Sequence, residues 1–321
     1  MTTVAFARAS VRQDPMADND DVPFNRDFAL KPGVVDQVQP GVRRILCNNP
    51  SPFTFTGTVS YIVGQGKVAI IDPGPDNEEH AAALLNAVRG ETVTHVLVTH
   101  THRDHSPNTA RIKAATGATV YGEGPHRASR PRYESEQISS ESGADRDFKP
   151  DIKVREGDMI EGADWALEAV ATPGHTANHL AFAWQNQSML FVGDHVMGWS
   201  TSIVAPPDGS MIDYMASLEK LTRRGEELYL SGHGPEILEG PRYVRFLIRH
   251  RQAREASILH RLGKGEADIP SLVRAIYIGI DPRLTGAAGY SVLAHLEDLV
   301  GRGIVATDGD PVIGGSYRLA K

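Results

Sequence analysis

Residues 98–107 read VTHTHRDHSP and set His100, His102, Asp104 and His105 within six positions, directly after the apolar run 93–99. Burying several imidazoles and a carboxylate together without a counter-partner is costly, so such a cluster points to a ligand that satisfies them. Three later stretches repeat the design, each placing a metal-ligand type of residue beside glycine. They are Thr172-Pro173-Gly174-His175-Thr176, Phe191-Val192-Gly193-Asp194 and Ser231-Gly232-His233-Gly234. Glycine lets the backbone turn sharply and approach closely, so each side chain can reach a shared centre. Together the stretches offer five imidazoles and two carboxylates, a donor set that suits zinc, iron or manganese.

The elements that must position these residues are short apolar runs bounded by Gly, Pro or Asp. Runs at 58–63, 68–71, 93–99, 119–121, 167–171, 189–192 and 227–230 predict strands. Helical patterns lie between them at 78–90 (EEHAAALLNAVRG) and 213–225 (DYMASLEKLTRRG), the latter with Asp213 as its expected N-cap. In open α/β architectures, ligands sit in loops beyond the carboxyl ends of strands, which is where the histidine loop falls. The polar stretch 129–157 lacks apolar periodicity and is expected to cover a cleft, with residues 129–150 as a candidate lid. Residues 241–262 predict one long helix, with Pro241 in its first turn and Gly263 beyond its end. Helical pieces at 269–279 and 289–302 and a closing hairpin suggest a small winged-helix-like module.

The expected organisation is an extended or partly disordered lead-in at 1–30, a catalytic domain at 31–240, a linking helix at 241–263 and the winged-helix-like module at 264–321. A chain of 321 residues with 40% hydrophobic and 23% charged residues buries a substantial core. Its net charge of -7 gives no global attraction to nucleic acid or anionic lipid. The single cysteine, Cys47, excludes an intrachain disulfide and a thiolate metal cluster. Arg8 and Arg12 interrupt the region where a secretory signal would be apolar, and no run of about 18 apolar residues occurs, so a soluble cytoplasmic protein is expected.

Taken in order, IIDPG at 70–74 and the four stretches above, all between Thr58 and Gly234, make the chain similar to the metallo-beta-lactamase superfamily. The resemblance implies an α/β (α+β) fold, a four-layer αββα sandwich with a metal pair at one edge. It implies that His100, His102 and His175 hold one metal, that Asp104, His105 and His233 hold the second, and that Asp194 bridges them. It also implies that Asp72, in IIDPG, orients the histidine loop. The reaction is then hydrolysis by a metal-bridging hydroxide, with zinc favoured as a Lewis acid without redox chemistry. Asp104 orients that hydroxide and relays a proton to the leaving group. The bridging hydroxide makes a serine nucleophile redundant, and Thr58 and Ser60 read as strand residues.

Several branches of the superfamily fit poorly. His102 stands where the diiron oxygen reductases resemble a glutamate, and Asp194 where true beta-lactamases carry cysteine. Fewer than 40 residues separate Asp194 from His233, too few for the inserted domain of the beta-CASP branch. NNPSPFTFTGTVSYIVG, GDHVMGWSTSIVAPPDG and the C-terminal module together resemble the beta-lactamase-like-protein-2 branch, related to glyoxalase II. That resemblance implies an ester, thioester, lactone or phosphodiester substrate. The expected partners are a small or carrier-linked acyl substrate, with single-stranded RNA as the alternative; duplex DNA and membranes are not expected, and a homodimer remains open.

His179 and His195 lie beside the motifs and read either as supports of the ligands or as wall residues. His80, His95, His126, His250, His260 and His295 match no ligand motif and read as surface or packed histidines. Phe53, Phe55, Tyr133 and Trp199 are candidates for a pocket lining, with core packing the commoner role. Residues 241–321 hold 12 Lys/Arg against 8 Asp/Glu, with Arg242, Arg245, Arg249, Arg251, Arg254 and Arg261 on the long helix. Those arginines read either as a contact for RNA or an acidic carrier or as a solvated face. Glu297 and Asp298 in the would-be recognition helix oppose DNA phosphate, so the module is expected to pack on the catalytic domain.

Overall fold

The computed structural model describes residues 22–136, 143–265 and 267–321. The central part of the 129–157 stretch therefore lies outside the described residues, as does most of the lead-in. Strands β1 (Val35–Gln39), β2 (Val42–Leu46), β3 (Val59–Val63), β4 (Lys67–Ile71), β5 (Thr92–Leu97), β6 (Thr119–Gly122) and β7 (Ile152–Lys153) form a seven-stranded sheet in that order. A second sheet runs β12 (Leu228–Ser231), β11 (Met189–Gly193), β10 (Leu180–Trp184), β9 (Ala166–Ala171) and β8 (Met159–Glu161).

Side-chain alternation sets the layers. In β3, Val59, Tyr61 and Val63 face the second sheet, while Ile62 turns to the outer core with Leu84 of helix α1 (Glu78–Ala87) and Ile112 of α2 (Thr109–Thr116). In β10, Leu180, Phe182 and Trp184 fill the space between the sheets. Its small Ala181 and Ala183 lie against Tyr214 and Leu218 of α3 (Met211–Leu221) and Val244 and Leu247 of α4 (Gly240–Gly263). The order helix, sheet, sheet, helix is the expected four-layer sandwich. Strands buried on both faces read as continuous apolar runs, which is why the sequence marked most of them.

Helix α4 is 24 residues long, roughly 36 Å, and belongs to two cores. Its first half packs on the sandwich, and Ile258 and Leu262 near its end join a separate C-terminal core. That core contains α5 (Ile269–Ile276), α6 (Thr285–Gly301) and the antiparallel pair β13 (Val305–Thr307) and β14 (Tyr317–Leu319), the arrangement of a winged helix.

The helix start at Asp213 needs correction. Helix α3 begins at Met211, and Ser210 is its N-cap, accepting from the Asp213 N–H at 3.3 Å. Asp213 sits in the first turn, where its charge favours the helix dipole. Helix α6 starts four residues earlier than expected, at Thr285. The six arginines do not share one exposed face: Arg251 is buried under Tyr214, and Arg254 lies over Tyr277 and donates to the Ile276 carbonyl. No helix of the described residues is long and apolar enough to cross a membrane.

Candidate metal centre

The histidine loop leaves the end of β5 and is pinned by Asp72, which follows β4. The Asp72 carboxylate accepts from the Thr99 N–H and the Thr99 hydroxyl, each at 2.7 Å, and from His105 Nδ1 at 3.0 Å. His175 follows β9, Asp194 follows β11 and His233 follows β12, so four strand ends supply the cluster. Close approach demands glycine in two of these turns. A Cβ on Gly174 would lie 2.3 Å from Tyr214 Cα, at a φ of +140°. One on Gly232 would lie 2.5 Å from Asp194 Oδ1.

All seven residues converge. Ligand-type atoms of His100, His102 and His175 lie within 4.8 Å of one another, as do those of Asp104, His105, Asp194 and His233. Asp72, His100 and His105 form a third such group.

The outward-facing nitrogen of each imidazole is occupied by oxygen. His175 Nδ1 donates to the Ile203 carbonyl at 2.6 Å, and His233 Nδ1 to the Gly57 carbonyl at 3.1 Å. His105 Nδ1 donates to Asp72, and His102 Nε2 to Asp208 Oδ2 at 3.2 Å. His100 Nδ1 donates to the Thr99 hydroxyl at 3.0 Å, whose own proton is given to Asp72. Carbonyls and carboxylates only accept, so these bonds fix the tautomers and turn the remaining lone pairs inward.

Those lone pairs then face one another. His102 Nδ1 lies 3.0 Å from His175 Nε2 and 3.1 Å from His100 Nε2, and His105 Nε2 lies 3.3 Å from His233 Nε2. Asp194 Oδ1 is buried without a hydrogen-bond partner. Acceptors packed this closely repel unless positive charge lies between them, so the donor set fits divalent cations.

The electrostatics divide the cluster. Burial, reinforced by His105 and His102, holds His100 well below the usual histidine range, and burial with His102 brings His175 down to about 4. Burial also opposes charge on His105 and His233, but Asp194 and Asp104 outweigh it and lift His233 to about 10. Burial likewise works against charge on the two carboxylates, yet His233 and His105 hold both low. One half thus presents two neutral imidazoles beside His102, which Asp208 raises above the usual histidine range against the effect of burial, and the other a pair of carboxylates that draws positive charge.

Asp208 is the functional neighbour that sequence reasoning missed. It lies in the turn PPDG, a pattern that signals chain reversal and carries no ligand spacing. Its Oδ1 also lies 3.7 Å from His126, which is therefore tied to the rim of the centre. His179 resolves as a support: its Nε2 accepts from the Asp194 N–H at 3.3 Å, and its Nδ1 faces the Thr172 hydroxyl at 2.8 Å. His195 is a wall residue whose ring packs 4.7 Å from Tyr214. Phe55 stacks on Trp199 at 4.9 Å, Phe53 is about half exposed, and Tyr133 lies under the Arg130 guanidinium.

Comparison with known proteins gives two family matches. Residues 53–233 match the family described as the metallo-beta-lactamase superfamily, and residues 269–315 match the beta-lactamase associated winged helix domain. A beta-lactamase-like protein 2 homolog of Caenorhabditis elegans is 31% identical over 72% of this chain and 74% of its own. An atrochrysone carboxyl ACP thioesterase of Passalora fulva is 30% identical over 76% of this chain and 70% of its own. Among solved structures, a metallo-beta-lactamase family protein from Thermus thermophilus shares the fold with a TM-score of 0.72 at 22% identity, covering 88% of this chain and 100% of that one. A beta-lactamase domain protein from Burkholderia ambifaria gives 0.75 at 20% identity, covering 92% and 96%.

Proposed function

The chain belongs to the metallo-beta-lactamase superfamily, and on that premise we propose that it is a dinuclear-metal hydrolase of ester, thioester or lactone bonds, with an acyl thioester as the favoured substrate. The observation that carries this reading is the set of five imidazoles whose outer nitrogens are all engaged and whose inner lone pairs converge. His100, His102 and His175 would hold one cation, Asp104, His105 and His233 the other, and Asp194 would serve both. Zinc is the metal of choice, since imidazole and carboxylate suit it and hydrolysis needs no redox chemistry. A bound pair supplies Lewis acidity, lowering the pKa of water from 15.7 to about 7.

The remaining roles fall to the chain. Asp104 has the most open side chain of the carboxylates, 27% exposed against 9% for Asp194, and so meets water and substrate first. Its carboxylate takes a proton from the attacking water and passes it to the leaving group. A thiol leaving group, with a pKa of about 8.5, needs little protonation, so one carboxylate suffices. Asp72 and Thr99 keep the histidine loop in register, and His179 holds the backbone of Asp194.

The identity to a thioesterase supports the thioester over the phosphodiester. So does the use of the α4 arginines within the protein, since Arg251, Arg254 and Arg261 contact backbone carbonyls. An acyl-thioester panel assayed beside single-stranded RNA, with and without chelator and across a salt series, tests the reading. Chelator-sensitive, salt-indifferent thioester hydrolysis is expected; RNA cleavage with steep salt dependence and inert thioesters would replace it.

A further inference from the structure

A cavity of about 710 Å³ lies between the catalytic domain and the winged helix. Pro206 and Pro207 line it from the sandwich, Val273 from α5, Leu293 from α6 and Ile313 from the turn between β13 and β14. Its size falls within the range of small-molecule sites, roughly 300–1,000 Å³, and its walls are mostly apolar. One lining residue, Pro207, connects it to the metal centre through the chain itself. Pro207 is bonded to Asp208, and Asp208 Oδ2 lies 3.2 Å from His102. Covalent geometry therefore brings the Pro207 backbone within roughly 10 Å of the His102 ring.

The cavity is braced open. Ser129 donates to the Pro207 carbonyl through both its N–H and its hydroxyl, each at 2.8 Å. Arg130, the next residue, bonds Glu297 of α6 from one edge of its guanidinium and Glu136 from the other. This half-buried link holds α6 to the loop that forms the far wall. The same face of α6 carries Gly286 in its first turn and Gly289 further in, the latter costing about 1 kcal/mol relative to alanine inside a helix. A Cβ on Gly286 would meet nothing within 4 Å, and one on Gly289 only Ile269 and Ile313 at 3.6 and 3.9 Å. Backbone packing does not require glycine at either position, and both leave the cavity clear.

We propose that this cavity receives the acyl portion of the substrate, an apolar group of medium or long chain, while its carbonyl lies at the metal centre. The proposal rests on the acyl-hydrolase reading above and adds the substrate class. The winged helix is then a specificity element: α5, α6 and the β13–β14 turn, the surfaces such a module would turn to nucleic acid, wall a pocket for apolar ligand. Burial of the acyl group drives binding in proportion to its apolar area.

The test uses the full-length, metal-loaded protein and three variants. Gly286→Phe and Gly314→Phe place a ring in the cavity from two independent walls; neither position has a positive φ or a neighbour within 4 Å of an added Cβ. Gly301→Phe, on the same helix and outside the lining, is the control. Two readouts are taken: kcat/KM for decanoyl and acetyl thioesters of N-acetylcysteamine, and decanoate-displaceable fluorescence of 1-anilinonaphthalene-8-sulfonate. The wild-type protein should prefer decanoyl by at least about tenfold, and both plugging variants should reduce that preference about tenfold and weaken decanoate binding, while Gly301→Phe does neither. Unchanged preference and unchanged decanoate binding in both plugging variants would overturn the proposal, as would a wild-type protein that binds no decanoate. Decanoate binding that the plugs abolish, without hydrolysis of either thioester, would uphold the pocket and sink the thioester reading alone.

Discussion

Asp208 Oδ2 lies 3.2 Å from Nε2 of His102, and this contact decides which nitrogen of the ring faces the centre. Because a carboxylate only accepts, the proton stays on Nε2 and the Nδ1 lone pair is free to bind metal. Asp208→Ala should weaken metal binding at the His100, His102 and His175 position by about 10- to 100-fold. A competition titration against a chromogenic chelator measures this. Wild-type affinity in the variant would mean that packing alone orients the ring.

Asp104 can be separated into ligand and proton carrier. Asp104→Asn retains an oxygen for the metal but removes the base, so turnover should fall by about 10²–10⁴-fold. Folding stability should change by less than about 1 kcal/mol, because the side chain is partly exposed. Steady-state kinetics beside a urea titration makes the comparison. A loss of turnover that tracks a loss of bound metal would leave Asp104 as a ligand only.

Gly174 carries the turn that delivers His175. An alanine there would force its Cβ to 2.3 Å from the Tyr214 backbone at a φ of +140°. Overpacking and backbone strain together should cost roughly 2–5 kcal/mol. Urea denaturation should show this loss together with reduced metal content, whereas a stable, metal-replete Gly174→Ala protein would contradict the geometry.

Acid stability reports on His295. Its ring is buried with neither nitrogen hydrogen-bonded, and burial, reinforced by Arg251 and His250, holds its pKa at about 3. The unfolded chain binds this proton near pH 6.5, so the group's contribution is intact above that value and is lost as pH falls toward 3. One such group lowers stability by about 1.4 kcal/mol per pH unit within the window. His295→Leu should flatten the decline between pH 6.5 and 4 by that slope, read from urea midpoints at successive pH values. An unchanged slope would place the acid sensitivity in other groups, such as His80 and His250, each brought to about 4 chiefly by burial.

Much of the fold was legible where physics leaves a local trace. Strands such as β4 and β5 are bounded apolar runs, and the ligand motifs place polar residues and glycines at strand ends. Strand β10 escaped notice although all five residues of LAFAW are buried, because two of them are alanine, which has weak strand preference. Strand β2, paired with β1 and β3, escaped because Arg43 and Arg44 break its apolar pattern; Arg44 is held instead by Asp36 and Glu236. The ligand motifs and one of their supports, Asp72, could be read; the other supports could not. Asp208, Thr99 and the carbonyls of Ile203 and Gly57 act on the imidazoles only through the fold, so sequence spacing carries no trace of them.

In the proposed hydrolase, seven side chains from four strand ends would hold two divalent cations. Elemental analysis of the purified wild-type protein, His100→Ala and Asp194→Ala tests it most directly. The account predicts close to two equivalents of metal per wild-type chain, about one in His100→Ala, and less than one in Asp194→Ala, which removes the shared ligand. Two full equivalents in both variants, or none in wild-type protein dialysed against excess zinc and then freed of unbound metal, would contradict it.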